Sequence, residues 1–236
     1  MPRPFKKLPQ FSRFQLGTDG DDSILGGNGS DRMSLGDGND IAEGGRGADL
    51  IFGGNGHDFL AGGLGADTLF GGAGDDLIVD FHGRNLIYGG AGNDTIYGGA
   101  GPTYGGDGND LIKTINADGG AGDDNLWGDP GAASNLNGGA GQDNILAAST
   151  GNDTLAGGTG PDAFYFLASD RGVDTITDFN PTEDILNFMD FNITQDTIYH
   201  ISEQVGADTV IHLNLVLDID LTVVLKNTDH QSLFLG

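Results

Sequence analysis

The sequence predicts an all-β protein that winds two small parallel sheets into a solenoid, and three features of one repeated unit predict it. The chain repeats every nine residues, as in GGRGADLIF, GGNGHDFLA, GGLGADTLF and GGAGDDLIV over residues 44–79. Each unit opens with glycines, which suit positive φ or a close approach of two backbones. Each unit closes with three residues around one apolar side chain, the pattern of a short strand with one inward residue. One inward residue per strand gives a thin apolar core between the sheets.

The repeat follows G-G-x-G-x-D-x-U-x, where U is apolar, from residue 17 to residue 165. Four units depart from it: DFHGRNLIY places Asn85 at the Asp position, GGAGPTY is two residues short and lacks the Asp, TINAD is a half-unit, and GDPGAASNLN is degenerate. The glycines exclude a helix, because each would cost it about 1 kcal/mol. The apolar residues that we expect to face inward are Ile24, Met33, Ile51, Leu60, Leu69, Ile78, Ile87, Ile96, Ile112, Leu126, Ile145, Leu155 and Phe164.

Aspartate stands at the sixth position of most units, beside carbonyl oxygens that a tight glycine turn points inward. Calcium takes about six to eight hard oxygen ligands in irregular geometry, so these carboxylates and carbonyls predict calcium sites. No unit has the order of an EF-hand loop with its glutamate at the twelfth position. Aspartates that only form turns are the simpler alternative, but turn formation does not require one position in most units. The candidate metal ligands are Asp22, Asp31, Asp40, Asp49, Asp58, Asp67, Asp76, Asp94, Asp110, Asp124, Asp143, Asp153 and Asp162.

Composition narrows the partners and the environment of the chain. Its 236 residues include 44 glycines and no cysteine, and the formal net charge is −25. This charge opposes a compact state and leaves no basic face for nucleic acid, so we expect a multivalent cation and no nucleic-acid partner. A secreted chain of this size without disulfides needs another clamp, which a metal supplies. No stretch is long and apolar enough to span a bilayer, and the basic start lacks the apolar core of a signal peptide.

The repeats over residues 17–165 resemble the RTX (repeats-in-toxin) family of hemolysin-type calcium-binding proteins, which includes the C-terminal part of serralysin-like proteases. The resemblance implies a right-handed parallel β-roll in which two nonapeptides form one turn and equivalent loops stack every eighteen residues. It implies Ca²⁺ between stacked loops, held by two Asp carboxylates and by carbonyls of the glycine turns. It also implies export from a bacterium by type I secretion machinery, and therefore an extracellular or cell-surface location.

Stacking every eighteen residues would sort the aspartates into two ladders on opposite edges of the roll. The first ladder is Asp22, Asp40, Asp58, Asp76, Asp94, Asp110, Asp124, Asp143 and Asp162, provided that the units GGAGPTY, TINAD and GDPGAASNLN lie on the opposite edge. The second ladder is Asp31, Asp49, Asp67, Asn85 and, after the irregular units, Asp153. Neighbouring aspartates form eight pairs in the first ladder and two in the second, which predicts about ten Ca²⁺.

Ten calcium ions would bring the formal charge from −25 to −5, so we expect metal binding and folding to be one coupled process. The irregular second ladder has two open interpretations. Its units have drifted under weak selection, or they form a flattened face for a partner near Tyr97, Tyr104 and Trp127.

The nine-residue period stops after residue 165. Residues 166–188, FLASDRGVDTITDFNPTEDILNF, resemble the segment that follows the roll in RTX proteins, and Asp170 or Asp174, with Asp178, would complete the last sites. An open roll end exposes unpaired backbone groups, so we expect a β cap. Its strands are predicted at residues 196–202, 207–220 and 221–227. The predicted domains are a tail at 1–16 (disordered, or a basic docking arm), the roll at 17–165, and the cap at 166–236, which carries a type I secretion signal by resemblance.

No catalytic constellation is evident, since the sequence has neither H-E-x-x-H nor G-x-S-x-G. We expect the five histidines to be surface or edge residues: His57, His82, His200, His212 and His230. RTX enzymes carry a catalytic domain before the roll, and sixteen residues precede it here, so we expect no enzyme. Two function classes remain. One is a secreted, non-catalytic structural or binding module with a cell-surface, matrix or glycan partner, and the other is the C-terminal calcium-binding and secretion module of a larger RTX protease, lipase, epimerase or toxin.

Overall fold

A computed structural model of the chain describes residues 14–147, 151–189, 197–198, 201–213 and 220–234. The chain forms two compact units, Met1–Ala121 and Gly122–Gly236. Each unit is built from short parallel strands joined by glycine turns, and the architecture is the right-handed parallel β-roll that the repeat predicts. The sequence boundaries at residues 17 and 165 stay predictions.

The described part of the first unit consists of thirteen strands in two parallel sheets. Odd-numbered strands form sheet A, in the order β1-β3-β5-β7-β9-β11-β13, and even-numbered strands form sheet B, in the order β2-β4-β6-β8-β10-β12. Successive strands therefore alternate between the sheets, and each pairs with the strand two earlier. The strands are β1 (Phe14–Leu16), β2 (Ser23–Asn28), β3 (Arg32–Asp37), β4 (Ile41–Arg46), β5 (Leu50–Asn55), β6 (Phe59–Leu64), β7 (Thr68–Ala73), β8 (Leu77–Asp80), β9 (Leu86–Ala91), β10 (Thr95–Gly98), β11 (Pro102–Asp107), β12 (Leu111–Lys113) and β13 (Asn116–Ala121).

Paired strands keep the apolar positions aligned even where a unit changes length. In sheet A, Ile51 aligns with Leu69 and Leu69 with Ile87, a spacing of eighteen residues. In sheet B, Ile96 aligns with Ile112, sixteen residues later, because the GGAGPTY unit is two residues short. The turn between β10 and β11 absorbs this loss, so the roll tolerates irregular turns without breaking its core.

Apolar side chains at the centre of each strand form the core of the first unit. The predicted inward residues from Met33 to Ile112 are all at most 1 % exposed. Ala42 and Leu35 join this core at 0 % exposure, whereas Ile24 in the first turn is half-buried. The thin core predicted from one apolar residue per strand is confirmed.

The first strand begins inside the segment that the sequence predicts as a tail. Phe14–Leu16 form β1 and pair with β3, which places Gln15 opposite Met33. Gln15 is 7 % exposed and takes the inward place that other strands give to an apolar residue. Its side-chain amide donates to Leu25 O at 3.4 Å. A polar residue at this inward place hid the strand from a search for apolar residues.

A column of stacked aromatic rings lies on the outer face of sheet A in the first unit. Phe52, Phe70, Tyr88 and Tyr104 stand on successive strands with ring centroids 4.9 Å apart at each step. This distance matches the spacing of neighbouring strands, about 4.7–4.9 Å, so the sheet itself sets the stacking. Each stacked pair contributes about 0.5–1.5 kcal/mol beyond its buried area. Tyr104, 38 % exposed, belongs to this column.

The described part of the second unit has ten strands. Sheet A has the order β15-β17-β19-β23-β22-β21 and sheet B the order β14-β16-β18-β20. The predicted inward residues Leu126, Ile145, Leu155 and Phe164 are all 0 % exposed. The strands are β14 (Asn125–Trp127), β15 (Asn135–Ala140), β16 (Asn144–Ala147), β17 (Thr154–Thr159), β18 (Ala163–Leu167), β19 (Gly172–Ile176), β20 (Ile185–Met189), β21 (Ser202–Val205), β22 (Asp208–His212) and β23 (Leu221–Leu225).

The last three strands close sheet A of the second unit. β23 pairs in parallel with β19, and β22 and β21 follow it antiparallel, so the sheet no longer ends on a strand of the roll. A strand predicted at residues 221–227 is present as β23. Of the strand predicted at residues 207–220, Asp208–His212 are present as β22, Ala207 and Leu213 lie in turns, and residues 214–219 lie outside the described part of the chain.

The strand predicted at residues 196–202 is wrong where the structure describes it. Thr197, Ile198 and Ile201 have helical backbone, and β21 begins only at Ser202. Ile201 is buried, at 4 % exposure. A 3-10 helix, His230–Phe234, follows β23. Within the described part of the chain, no helix has the length and hydropathy of a membrane span.

Candidate metal centre

The first ladder is continuous within the first unit. The backbone N–H of each aspartate donates to Oδ1 of the aspartate one turn later, at distances typical of a charge-assisted hydrogen bond. The turns after odd-numbered strands carry it, so the irregular units all fall on the opposite edge, as the spacing predicts. The hydrogen bonds are Asp22 to Asp40 (2.7 Å), Asp40 to Asp58 (2.8 Å), Asp58 to Asp76 (2.8 Å), Asp76 to Asp94 (2.8 Å) and Asp94 to Asp110 (2.7 Å).

The second unit contains the rest of the first ladder. Asp124 N donates to Asp143 Oδ1 at 2.8 Å, and Asp143 N donates to Asp162 Oδ1 at 3.0 Å. Each spacing is nineteen residues, because GDPGAASNLN adds one residue between Asp124 and Asp143, and Ala147 adds one residue between Asp143 and Asp162. Each aspartate therefore keeps its position in the ladder, although the chain between two successive ladder positions, or rungs, is one residue longer.

The second ladder is shorter and changes chemistry along its length. Asp31 N donates to Asp49 Oδ1 and Asp49 N donates to Asp67 Oδ1, both at 2.7 Å. Asp67 N then donates to Asn85 Oδ1 at 2.9 Å, so the amide oxygen replaces a carboxylate oxygen. In the second unit, Asp153 Oδ1 accepts from Ser134 N at 2.6 Å.

Hydroxyl groups take the place of carboxylates in the middle of this edge. Thr103 and Thr114 are each 2 % exposed, and their Oγ1 atoms lie 2.9 and 3.0 Å from the position of a Cβ added at Gly98. Thr114 Oγ1 donates to Gly99 O at 2.9 Å. Neutral side chains therefore fill these rungs, which relieves charge repulsion where the aspartate is missing.

In eight of the ladder aspartates, the second carboxylate oxygen is buried and unpartnered. These side chains are at most 3 % exposed, and their Oδ2 atoms have no hydrogen-bond donor. A buried charge without a partner is costly, so such a row requires a compensating cation or a proton. The aspartates in this state are Asp40, Asp49, Asp58, Asp67, Asp76, Asp94, Asp143 and Asp162.

These oxygens line a small space beside the first glycine of each regular unit, which we call a cradle. A Cβ added at Gly53 would lie 2.3 Å from Asp58 Oδ2 and 2.4 Å from Gly71 O, which belongs to the next turn. Each cradle therefore joins a carboxylate oxygen and a carbonyl oxygen from two stacked turns. The same arrangement recurs beside Gly44, Gly71, Gly89, Gly105 and Gly138.

A sequence model of the RTX calcium-binding nonapeptide repeat matches residues 16–42, 43–78, 83–102, 116–132 and 138–176. These segments cover more than half of the 236 residues. The chain belongs to the RTX calcium-binding repeat family.

Among solved structures, the chain is similar to the extracellular lipase LipA from Serratia marcescens. The identity is 21 % and the TM-score is 0.31, with 92 % of this chain and 38 % of the lipase chain covered. This RTX chain therefore spans well under half of the lipase's length. A search of curated proteins found no match.

Burial dominates the electrostatics of the RTX ladders. It raises the pKa of Asp40, Asp49, Asp110 and Asp143 to about 6. It raises the pKa of Asp76, Asp94 and Asp174 to about 7. In each case the N–H donated by the aspartate one turn earlier lowers the pKa in part. Without a cation these carboxyls therefore ionise at a higher pH than an exposed aspartate does, and Asp76, Asp94 and Asp174 do so only near neutral pH.

The residues of the cradles fit calcium. Carboxylate and carbonyl oxygens are the donors that Ca²⁺ prefers, and it accepts irregular geometry. Within the described residues, no three His, Asp or Glu side chains group closely enough to hold a metal by themselves. A cation must therefore draw on glycine carbonyls as well as on carboxylates, which is what each cradle offers. The chemistry that calcium would supply here is neutralisation of the buried ladder carboxylates.

The structure completes the ladders with one residue that the sequence missed. Asp153 N donates to Asp174 Oδ1 at 2.9 Å, so Asp174 rather than Asp170 follows Asp153. Asp162 N donates to Asp184 Oδ1 at 3.0 Å, so Asp184 takes the rung expected of Asp178. Asp178 instead accepts from the N–H groups of Gly157 and Gly158. The turn between β19 and β20 is long, so Asp184 comes twenty-two residues after Asp162. A count of eighteen residues per turn of the roll therefore does not find it.

The described histidines take positions at edges and turns. His57 Nδ1 accepts from Asp75 N at 2.8 Å, eighteen residues later, and so bridges two turns of the first unit. His212 Nε2 lies 3.2 Å from Glu203 Oε1 across two cap strands. His230 Nε2 lies 2.9 Å from Ser202 Oγ and joins the 3-10 helix to β21. His82 is exposed, and His200 lies outside the described residues.

Proposed function

We propose that this chain is a secreted RTX protein whose β-roll folds when it binds Ca²⁺ outside the cell, and that it acts without catalysis as a structural or binding module in a surface, matrix or adhesion setting. The observation that carries the proposal is the row of buried, unpartnered carboxylate oxygens on both ladders. The family match supports calcium as the cation.

The mechanism has two stages that follow from the charge of the chain. Inside the cell, where free calcium is scarce, a net charge of −25 and 44 glycines favour the unfolded chain, which suits passage through a type I export channel. Outside, calcium reaches the roughly 10⁻⁴–10⁻³ M range in which extracellular modules bind it. The ladders then fold around the ions, with a cell-surface, matrix or glycan partner meeting the folded roll.

Stacked sites make this reaction cooperative. Each cradle takes oxygens from two turns, so an ion bound in one cradle also fixes a glycine carbonyl of the next turn. One site contributes about 2.7 kcal/mol when free calcium is about 100-fold above its dissociation constant. Several such contributions are comparable to the whole stability of a domain, about 5–15 kcal/mol. Calcium binding and folding are then one transition, with rungs added to their neighbours.

A calcium titration of the metal-free chain, followed by far-UV circular dichroism, tests the proposal. We expect a steep change from coil to β-structure with calcium and no comparable change with magnesium, which dehydrates reluctantly and demands octahedral geometry. The matched control is a variant with Asp58, Asp76 and Asp94 changed to Asn, which keeps the side-chain shape but removes three adjacent ladder charges. Its transition should require more calcium and be less steep. A wild-type chain that shows the same β-structure in chelator as in calcium would overturn the proposal.

A further inference from the structure

One irregular unit of the second ladder, DFHGRNLIY, carries two changes that belong together. Asn85 replaces the aspartate of the sixth position, and Asp80 replaces the glycine of the first position. The unit therefore keeps one carboxylate but moves it five residues along the chain. Counting only sixth positions, the sequence ends this part of the second ladder at Asp67.

The structure places the carboxylate of Asp80 in the next cradle of that ladder. A Cβ added at Gly62 would lie 2.1 Å from Asp80 Oδ2 and 2.8 Å from Asp67 Oδ2. In the preceding cradle, beside Gly44, the corresponding neighbours are Asp49 Oδ2 and the carbonyl oxygen of Gly62, both at 2.5 Å. The side chain of Asp80 therefore stands where a regular unit supplies a glycine carbonyl, and this cradle holds two carboxylate oxygens.

Neither carboxylate has a compensating charge in the described part of the chain. Asp67 and Asp80 are 1 % and 2 % exposed, and no Lys or Arg there forms an ion pair with either. Asp67 Oδ2 and both oxygens of Asp80 have no hydrogen-bond donor. The N–H groups of Gly63 and His82 lie near enough to Asp80 to lower its pKa, and the two carboxyl side chains lie within hydrogen-bonding reach of each other. Burial first, and then the charge of Asp67, raise that pKa to about 7.

A regular ladder aspartate accepts the hydrogen bond between turns and supplies a buried charge, and in this unit Asn85 and Asp80 divide these two functions. Its Oδ1 accepts from Asp67 N at 2.9 Å, which preserves the hydrogen bond between turns. Its Nδ2 donates to the carbonyl oxygens of Asp80 and His82 at 3.2 and 3.3 Å, which fixes the turn that carries Asp80. The amide keeps the ladder hydrogen bond, and the displaced carboxylate keeps the charge beside Asp67.

We propose that Asp67 and Asp80 hold a divalent cation, calcium in the extracellular setting, in the cradle beside Gly62. This site extends the second ladder by one ion beyond its two pairs of sixth-position aspartates. A doubly charged ion neutralises both carboxylates at once, and carboxylate oxygens are ligands that calcium prefers. The site rests on calcium binding by the regular rungs, as proposed above, but its carboxylate comes from a position that the repeat reserves for glycine.

Native mass spectrometry of the full chain in saturating calcium tests this site by counting bound ions. Asp80→Asn and Asp80→Gly should each bind one calcium fewer than the wild type. The double change Asp80→Gly with Asn85→Asp rebuilds a regular unit and should restore the wild-type count. Asp19→Asn, at an exposed turn residue, removes the same charge and should leave the count unchanged.

Circular dichroism in calcium establishes that each variant is folded before its ions are counted. Asp80→Gly places the repeat's usual residue in the turn, so it provides a folded test if Asp80→Asn does not fold. An unchanged count in the Asp80 variants would overturn the site and would assign the two carboxyls to a shared proton. Because the wild type is counted in the same experiment, a failure of calcium binding by the regular rungs is distinguished from a failure at Asp80.

Discussion

Gly72→Ala should destabilise the calcium-bound protein strongly, because its new Cβ would collide with the neighbouring turn. Gly72 has a φ of +125°, and a Cβ there would lie 2.0 Å from Gly54 O and 2.9 Å from Gly54 C. A carbon in contact with a carbonyl oxygen normally lies about 3.3 Å from it. The backbones of β5 and β7 would therefore have to move apart by about 1 Å, and these strands pair along their whole length.

The expected cost has two parts. An alanine at this φ costs about 1–3 kcal/mol in backbone strain, and overpacking at a fixed contact adds about 1–3 kcal/mol. The free energy of unfolding should fall by about 2–6 kcal/mol, less the roughly 0.4–1 kcal/mol that alanine gains by restricting the unfolded chain.

Two control variants separate these parts. Gly27 has a φ of +112° but no atom within 4 Å of an added Cβ, so Gly27→Ala should show the strain alone. Gly20 has neither a positive φ nor a near neighbour, so Gly20→Ala should be neutral or slightly stabilising. Urea unfolding in saturating calcium gives the three free energies from the midpoints and slopes. If Gly72→Ala cost no more than Gly27→Ala, the close approach of successive turns would not restrain this roll.

Three other outcomes follow from the same geometry. Asp143→Ala should lower the steepness of the calcium-induced transition more than Asp31→Ala does. Asp143 lies inside the first ladder, between Asp124 and Asp162, whereas Asp31 is the first residue of the shorter second ladder. Equal effects of the two changes in parallel calcium titrations would count against two unequal ladders. Gly53→Ala should reduce the calcium count by one in native mass spectrometry, because its Cβ would fill the cradle 2.3 Å from Asp58 Oδ2; a full count would show that the ions lie elsewhere. In chelator, β-structure should increase as the pH falls from about 7 to about 4. Burial raises the pKa of Asp76 and Asp94 to about 7 in the folded chain, whereas an aspartate of the unfolded chain has a pKa of about 3.9. Between these two values the folded chain binds more protons than the unfolded chain, so protonation stabilises the fold. This stability is lost as the pH rises through 7, and circular dichroism that showed less β-structure in acid would contradict the burial of these carboxyls.

Most of the fold and most of the first ladder could be predicted from the sequence, because both depend on period alone. One turn of the roll consists of two strands and two turns, so sixth-position residues of every second unit return to the same edge whatever residues surround them. The irregular units did not disturb this assignment, since their insertions and deletions fall in turns on the opposite edge, as between Asp124 and Asp143.

The residues that escaped prediction are those that period does not control. Asp184 comes after a long turn, and its hydrogen bond to Asp162 N depends on where that turn returns to the roll. Asp80 occupies a glycine position, so a search for sixth-position aspartates passes over it although its side chain reaches Gly62. Gln15 is a polar residue at an inward place. In each case tertiary contact, rather than local pattern, decides the role of the side chain.

The central claim is that calcium binding and folding of this chain are one reaction, and amide hydrogen exchange of the ladder tests it most directly. The N–H groups of Asp58, Asp76 and Asp94 donate to carboxylate oxygens of the next turn, so they report on the ladder itself. In calcium at neutral pH, we expect these amides to exchange slowly and together. In chelator at the same pH, they should exchange at the rates of an unfolded chain. Slow exchange of these amides in chelator would contradict the account, because the buried carboxylates would then be stable without a cation.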